Sequence, residues 1–304
     1  MRVQLPGVGR SVDSIVVEAF KVLDCAPWGG QSAMGWSKQS DFLRCPYRYY
    51  LKHVRGVGPL VVGDTGPALD IGSIVHLLLA ARYSAMLPDH RYPGWRPNPP
   101  DPFVLLRTLE SCGLPLSISQ EVERLYEGYA EKYGADLIVP MAVEFGVGNP
   151  AFHTSRYDLV FYVEDGIHDG FWIGEHKTMS SATDIETFRF NGEVLGEMLS
   201  WRLSGLDTYF GGPLNGVCIN ALVKTKSVPR YQRLWIPVNW AMIDHYAGQR
   251  EQWVAREAAC VQSAVWPQSL AGCNIRYSKC RFWEHCSTDD ESQLVSIERR
   301  PINA

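Results

Sequence analysis

The stretch from Arg156 to Lys177, RYDLVFYVEDGIHDGFWIGEHK, constrains this chain more than any other. Val160 and Phe161 with their neighbours form an apolar run, and Glu164-Asp165-Gly166 breaks it. Phe171, Trp172 and Ile173 then restart an extended segment, so the pattern predicts two adjacent strands joined by a polar turn. Asp158 enters the first strand and Glu175-His176-Lys177 leaves the second. Strand alternation puts Glu175 and Lys177 on one face. If the strands pair antiparallel, Asp158 and Glu175 meet across the ladder. Two carboxylates there suit a hard divalent cation, with the Lys177 ammonium orienting or activating a water. The same three residues also suit a solvated surface strand, and the local pattern leaves both readings open.

With 304 residues, the chain is long enough for one large domain or for one domain with a substantial elaboration. A hydrophobic share of 46%, including 10 Trp, 14 Tyr and 11 Phe, supplies ample core material. The net charge of -4 gives no bulk support for nucleic-acid binding, so any such surface must be a local patch. No apolar run is long enough to cross a bilayer, and the first residues, MRVQLPGVGRSVDSIVVEAF, lack a secretory apolar region. A soluble intracellular protein, with no membrane partner, is the expectation. Eight cysteines are too sparse for a disulfide scaffold, so a cluster of them reads as metal ligands or core residues.

Residues 1–35 read as an extension. Ser37 suits the cap of a helix through Cys45, and Pro46 suits the first turn of the next. Arg44, Arg48, Lys52 and Arg55, interleaved with three tyrosines, fit either phosphate contacts and base stacking or a buried aromatic helix with a basic edge. Residues 56–69 read as a loop, and Asp70–Ala80 as a buried helix carrying His76. Prolines crowd residues 88–102. A helix over Leu116–Tyr133 and a strand over Ile138–Val147 follow; the strand contains Glu144, an acid either at the edge of the site or in solvent. Beyond the central pair come a helix over Asn191–Tyr209 bearing Glu193 and Glu197, and strands over Gly216–Val223 and Leu234–Val238. Lys224, Lys226, Arg230 and Arg233 form a second basic patch, and Trp240–Ala264 a long helix.

The second specific feature is Cys273, Cys280 and Cys286, three thiols within fourteen residues. They can surround one metal centre if a fourth ligand comes from elsewhere, and soft thiolates suit an iron–sulfur cluster or zinc. Cys45, in a Cys-Pro-aromatic-basic setting, would tie the N-terminal helices to the C-terminal loop; His285 is the alternative if the metal is Zn²⁺.

In order, Trp36-Ser37, Cys45-Pro46-Tyr47-Arg48-Tyr49, Gly72-Ser73-Ile74-Val75-His76, Asp158, Glu175-His176-Lys177 and the cysteine cluster resemble the RecB-like branch of the PD-(D/E)XK nuclease superfamily. That branch includes the AddB nuclease domain and the CRISPR-associated exonucleases. The resemblance spans residues 36–286, and a combination of motifs is more specific than any one of them. It implies an α/β fold: a central mixed β-sheet flanked by helices, a restriction-endonuclease-like core whose N- and C-terminal segments the cysteines tie together. Residues 88–115 would be an insertion or loop and 287–304 a peripheral tail.

The resemblance also implies roles. His76, Asp158 and Glu175 would bind Mg²⁺ or Mn²⁺, with the His176 carbonyl completing the shell, and Lys177 would be the catalytic lysine. Cys45, Cys273, Cys280 and Cys286 would hold a [4Fe–4S] cluster. The substrate would be DNA with free or single-stranded ends, cut exonucleolytically. A DNA-binding or complex-assembly module with a weakened site is the alternative. Three departures stand out: Tyr157 replaces the usual proline before the first acid, Glu193 and Glu197 occupy the places of a glutamine and a tyrosine, and six residues separate Cys273 from Cys280 where the family more often has two.

Overall fold

Five strand-forming runs pair into one mixed sheet, and helices cover both of its faces. The computed structural model describes residues 11–24, 34–59, 67–225, 227–275 and 278–296. The N-terminal half begins with α1 (Val12–Val22), α2 (Trp36–Arg44) and α3 (Pro46–Tyr49, continued by a π-helical stretch Tyr50–Arg55). It continues with β1 (Val57–Pro59), α4 (Pro67–Ser84), α5 (Pro102–Ser111) and α6 (Leu116–Tyr133). The centre holds β2 (Ile138–Asn149), β3 (His153–Val163), β4 (Gly170–Met179), a 3-10 segment (Ala182–Phe190), α7 (Gly192–Leu203), α8 (Leu206–Phe210), β5 (Leu214–Val223) and β6 (Arg230–Pro237). Last come α9 (Trp240–Ser263), α10 (Leu270–Cys273), β7 (Asn274–Ile275), β8 (Ser278–Lys279), α11 (Trp283–Thr288) and β9 (Leu294–Ser296).

The large sheet runs β2-β3-β4-β5-β6, antiparallel except where β4 pairs parallel with β5. That parallel step needs a crossover, which α7 and α8 supply. Being covered on both faces, β5 is buried at nearly every position, which explains its unbroken apolar run. One core layer packs α1, α4, α5 and α6 against the sheet through residues such as Phe20, Leu78, Leu106 and Leu125. The other packs α7, α8 and α9 through Met198, Leu206 and Ile243. The expected mixed sheet flanked by helices is what the chain forms.

Several local expectations need correction. Ser11 caps α1, and Ile15, Ala19 and Phe20 bury in the core at i, i+4 and i+5, so part of the N-terminal extension is core helix. The helix expected to start at Ser37 starts at Trp36 with Gly35 as its cap. Residues 102–111 of the expected insertion are helical because Asp101 caps α5, accepting from the amides of Phe103 and Val104. The proline-rich stretch before it docks on the sheet, with Pro93 O accepting from Val143 N at 2.9 Å. Ser204 and Gly205, the latter at φ 62°, split the helix expected over 191–209 into α7 and α8. Leu294–Ser296 of the expected tail pairs with Val57–Pro59, a segment expected to be loop.

The buried His153 at the head of β3 locks the sheet to α7: a Cβ on Gly196 would come within 2.4 Å of its Nε2. Burial, aided by the nearby Arg250 charge, pushes the His153 pKa down to about 4. The unfolded chain takes up this proton near pH 6.5, so its stabilising contribution is complete above that pH and is lost as pH falls toward about 4. Between pH 7 and 4.5, the wild type should lose about 2–3 kcal/mol more unfolding free energy than His153→Gln, read from denaturant titrations.

Candidate active site

The site lies where the sheet forks. The ladder between β3 and β4 ends at Leu159 opposite Gly174. Past that pair, β3 stays with β2 while β4 stays with β5, from Glu175 opposite Ile219 to Met179 opposite Val223. Asp158 stands at the crotch and supplies what the missing ladder would have given, its Oδ2 accepting from the His176 amide at 2.8 Å. Beside it, Glu144 adopts the left-handed conformation at φ 50°, a costly choice for a residue other than glycine. Its effect is visible in the packing. Val143 and Leu159 belong to the α4 layer, whereas Phe145 and Tyr157 pack in the α7 layer. In a regular strand, residues two apart share a face. Both strands therefore change face at this pair, and the Glu144 and Asp158 carboxylates meet between the layers.

Helix α4 brings His76 to the same point, with Nδ1 3.4 Å from Asp158 Oδ2. His76, Glu144 and Asp158 each offer one ligand atom within 4.8 Å of the others. Among the described residues they are the one such group of three. Oxygens and an imidazole nitrogen bonded to one small divalent ion at about 2.1 Å lie up to roughly 4.2 Å apart, so the spacing fits a single cation after slight closure. Glu175 does not join this group. It stands one position beyond the end of the ladder, and Lys177 Nζ binds its Oε1 at 2.5 Å. Lys177 also reaches Glu193 Oε2 on α7 at 3.0 Å.

Glu175 and Lys177 thus share the α7 face, while the His176 ring lies on the other. There it stacks on Tyr83, meets His76 edge-on and bonds Asn220 through Nδ1. The ring has no part in the acidic cluster; only the His176 backbone borders it. Burial pushes the His176 pKa down to about 3, so this imidazole is neutral.

Charge in the fork is out of balance. Five carboxyl groups (Glu144, Asp158, Glu175, Glu193, Glu197) face His76, Lys177 and Arg156, the last bound to Glu144 at 2.9 Å. Burial and the Asp158 charge push both Glu144 and Glu175 up to about 7. Burial, then Glu175 and Glu193, push Glu197 well above the carboxylate range, and its Oε2 has no hydrogen-bond partner. Against its own burial, the charge and hydrogen bond of His76 hold Asp158 well below that range. Burial would lower the His76 pKa, but Asp158, Glu175 and Glu144 raise it to about 9. Acids crowded at this cost are stabilised by a cation placed among them.

Sequence reasoning placed Glu144 only as a candidate at the edge; nothing in AVEFG marks a reversed backbone at a glutamate. The basic patches resolve differently. Arg48, Lys52 and His53 all converge on the buried Asp41, and Arg55 grips Glu291 through two hydrogen bonds. These cations are taken up in intramolecular pairs, which favours the packed-helix reading of that patch. In the second patch Arg233 pairs with Asp136, and Lys226 lies outside the described residues.

Away from the fork, Cys45, Cys273, Cys280 and Cys286 line one cavity together with Arg48 and Trp283. Cys45 Sγ accepts from the amides of Arg48 at 3.5 Å and Ser269 at 3.4 Å. His285 is not available as a fourth ligand: Nε2 meets the Tyr47 hydroxyl at 3.2 Å and Nδ1 the Asp290 carbonyl at 3.1 Å. Cys112 and Cys218 are buried in the α4 layer, and Cys25 lies outside the described residues.

No curated protein sequence matches this chain. Among solved structures, the crystal structure of SSO0001 aligns over 73% of this chain and 84% of its own, at 13% identity and a TM-score of 0.28. No described helix is long and apolar enough to cross a membrane. A profile of the PD-(D/E)XK nuclease superfamily matches residues 34–189, just over half of the chain, running from the turn before α2 through the forked strands to the 3-10 segment after β4. The chain therefore belongs to the PD-(D/E)XK nuclease superfamily, whose members are metal-dependent nucleases.

Proposed function

We propose that this protein is a Mg²⁺- or Mn²⁺-dependent deoxyribonuclease of the RecB-like branch that degrades DNA from ends or along single strands. The observation that carries the reading is the forked sheet, which brings His76, Glu144 and Asp158 to one point and sets Glu175 with Lys177 alongside. His76, Glu144 and Asp158 would hold the cation, with the Glu175 carboxylate and the His176 carbonyl beside it. A bound divalent cation supplies charge against the phosphoryl oxygens and acidifies a water. The protein's own part is electrostatic and positional. The two carboxylates around Lys177 keep it an ammonium, its pKa pushed above the ordinary lysine value despite burial. As an ammonium it can orient water and face an anionic phosphoryl oxygen.

Labelled single-stranded and duplex DNA incubated with Mn²⁺ tests this. Wild type should release short products, and Lys177→Ala should be slower by about a hundredfold or more. Equal rates would remove Lys177 from the chemistry. Retention of DNA at low salt without products would establish the binding-module reading instead.

The terminal cysteines support a second proposal, a [4Fe–4S] cluster that ties the two ends of the domain. Zinc bound by thiolates at about 2.3 Å holds them roughly 3.8 Å apart. All four thiols border one cavity. A multi-atom cluster would join them with wider separations than a single zinc imposes. Arg48, whose Nη2 pairs with Asp41, leaves a buried Nε unpartnered at the same wall, a donor suited to a thiolate-bound cluster.

A further inference from the structure

The nuclease reading leaves Glu193 without a task, although it stands at the centre of the α7 face of the site. Lys177 Nζ has three N–H donors. One goes to Glu175, two residues back on its own strand, and the ammonium also pairs with the Glu193 carboxylate on α7 at 3.0 Å, while the Phe188 ring lies 5.8 Å away. With Glu175 alone, both acceptor and donor hang from β4, and a four-carbon stem could swing around their bond. A second acceptor on another element removes that freedom.

The element carrying it is itself held. Asn191 caps α7 and accepts from the Glu193 amide at 2.9 Å. Gly192 lies so close to Trp36 that a Cβ there would meet the ring at 2.2 Å. Glu193 therefore projects from a helical turn locked by α2, and it is outside the three-group cation cluster.

We propose that Glu193 is a positioning residue: it fixes the Lys177 ammonium so that a single N–H is left to face the reacting water or phosphoryl oxygen. This rests on the nuclease reading for its consequence and on the two ion-pair distances for its geometry. The glutamate acts as a hydrogen-bond acceptor, so glutamine, whose amide oxygen accepts equally, should replace it far better than alanine.

Three measurements on the full chain decide it: kcat and KM on labelled DNA, Mn²⁺ affinity by calorimetry, and the acylation rate of Lys177 by an amine reagent, read by peptide mass spectrometry. Glu193→Ala should lower kcat about tenfold to a hundredfold with KM little changed. Its Mn²⁺ affinity should match wild type, and Lys177 should acylate several times faster. Glu193→Gln should recover most of the lost kcat and of the protection. The proposal is overturned if glutamine proves as poor as alanine, if Mn²⁺ affinity falls in step with kcat, or if Lys177 acylates at the wild-type rate in Glu193→Ala. If wild type binds Mn²⁺ but cleaves no DNA, the nuclease reading fails, and the acylation rates still decide whether Glu193 holds Lys177.

Discussion

Asp158→Asn should lose Mn²⁺ binding and cleave DNA about a thousandfold or more slowly, with little change in the melting temperature of the metal-free protein. The argument rests on how many tasks one carboxylate performs. Asp158 Oδ2 takes the His176 amide that the forked sheet leaves unpaired, and the same group faces His76 Nδ1 and belongs to the cation cluster. Asparagine keeps an oxygen for the amide hydrogen bond but removes the charge, and its NH₂ group repels any cation among the remaining ligands. Stability is set by two opposing changes. The pairing with protonated His76 is lost, but so is the charge that helps push Glu144 and Glu175 up to about 7. A buried ion pair replaced by a well-fitted neutral group is often close to neutral in free energy. Calorimetry with Mn²⁺, initial cleavage rates and thermal melts on the same preparations check all three parts. A melting temperature that collapses together with activity would instead place Asp158 in the scaffold.

The parts of this molecule legible in its sequence are those where a short window carries its own physics. Leu116–Tyr133 shows a helical apolar period and forms a helix with those bounds. The run before Glu164-Asp165-Gly166 and the run after it form antiparallel β3 and β4. Ser11 followed by Ile15, Ala19 and Phe20 carried a comparable signal for α1, a cap and an apolar face within ten residues. The features that escaped are those fixed by distant partners. Asp41 as an anchor for Arg48, Lys52 and His53, and Glu291 as one for Arg55, tip a patch that read either way toward intramolecular ion pairs. A three-residue strand such as Val57–Pro59 exists only because Leu294–Ser296 lies beside it. Glu144 is the sharpest case. Its chemistry was visible, yet its place depends on a reversed backbone that only the surrounding sheet enforces.

Cys280→Ser, and Cys45→Ser with it, should abolish visible colour and bound iron and lower the melting temperature by roughly 10 °C. The expectation follows from how little else holds the C-terminal segment. Its core comprises the buried side chains of Leu51, Cys280 and Phe282, with Tyr47, Tyr50, Val57, Cys286 and Leu294 partly buried around them. Pairing of β1 with β9 covers only three positions on each strand. The Arg55–Glu291 pair is solvent-exposed, and such pairs contribute about 0–1 kcal/mol. Among the described residues, apolar burial on that scale contributes little against the conformational entropy of an ordered C-terminal segment. Small domains in that position are completed by a bound metal, and here four thiols from both ends of the chain line the same cavity. Limited proteolysis should therefore cut the serine variants after α9 while the sheet survives, and Cys260→Ser, on a thiol outside the cavity, should keep both colour and melting temperature. Colourless wild type with bound zinc would substitute that metal for iron. Wild type with no metal and an intact, protease-resistant C-terminus would show that the helices and short strands close the domain unaided.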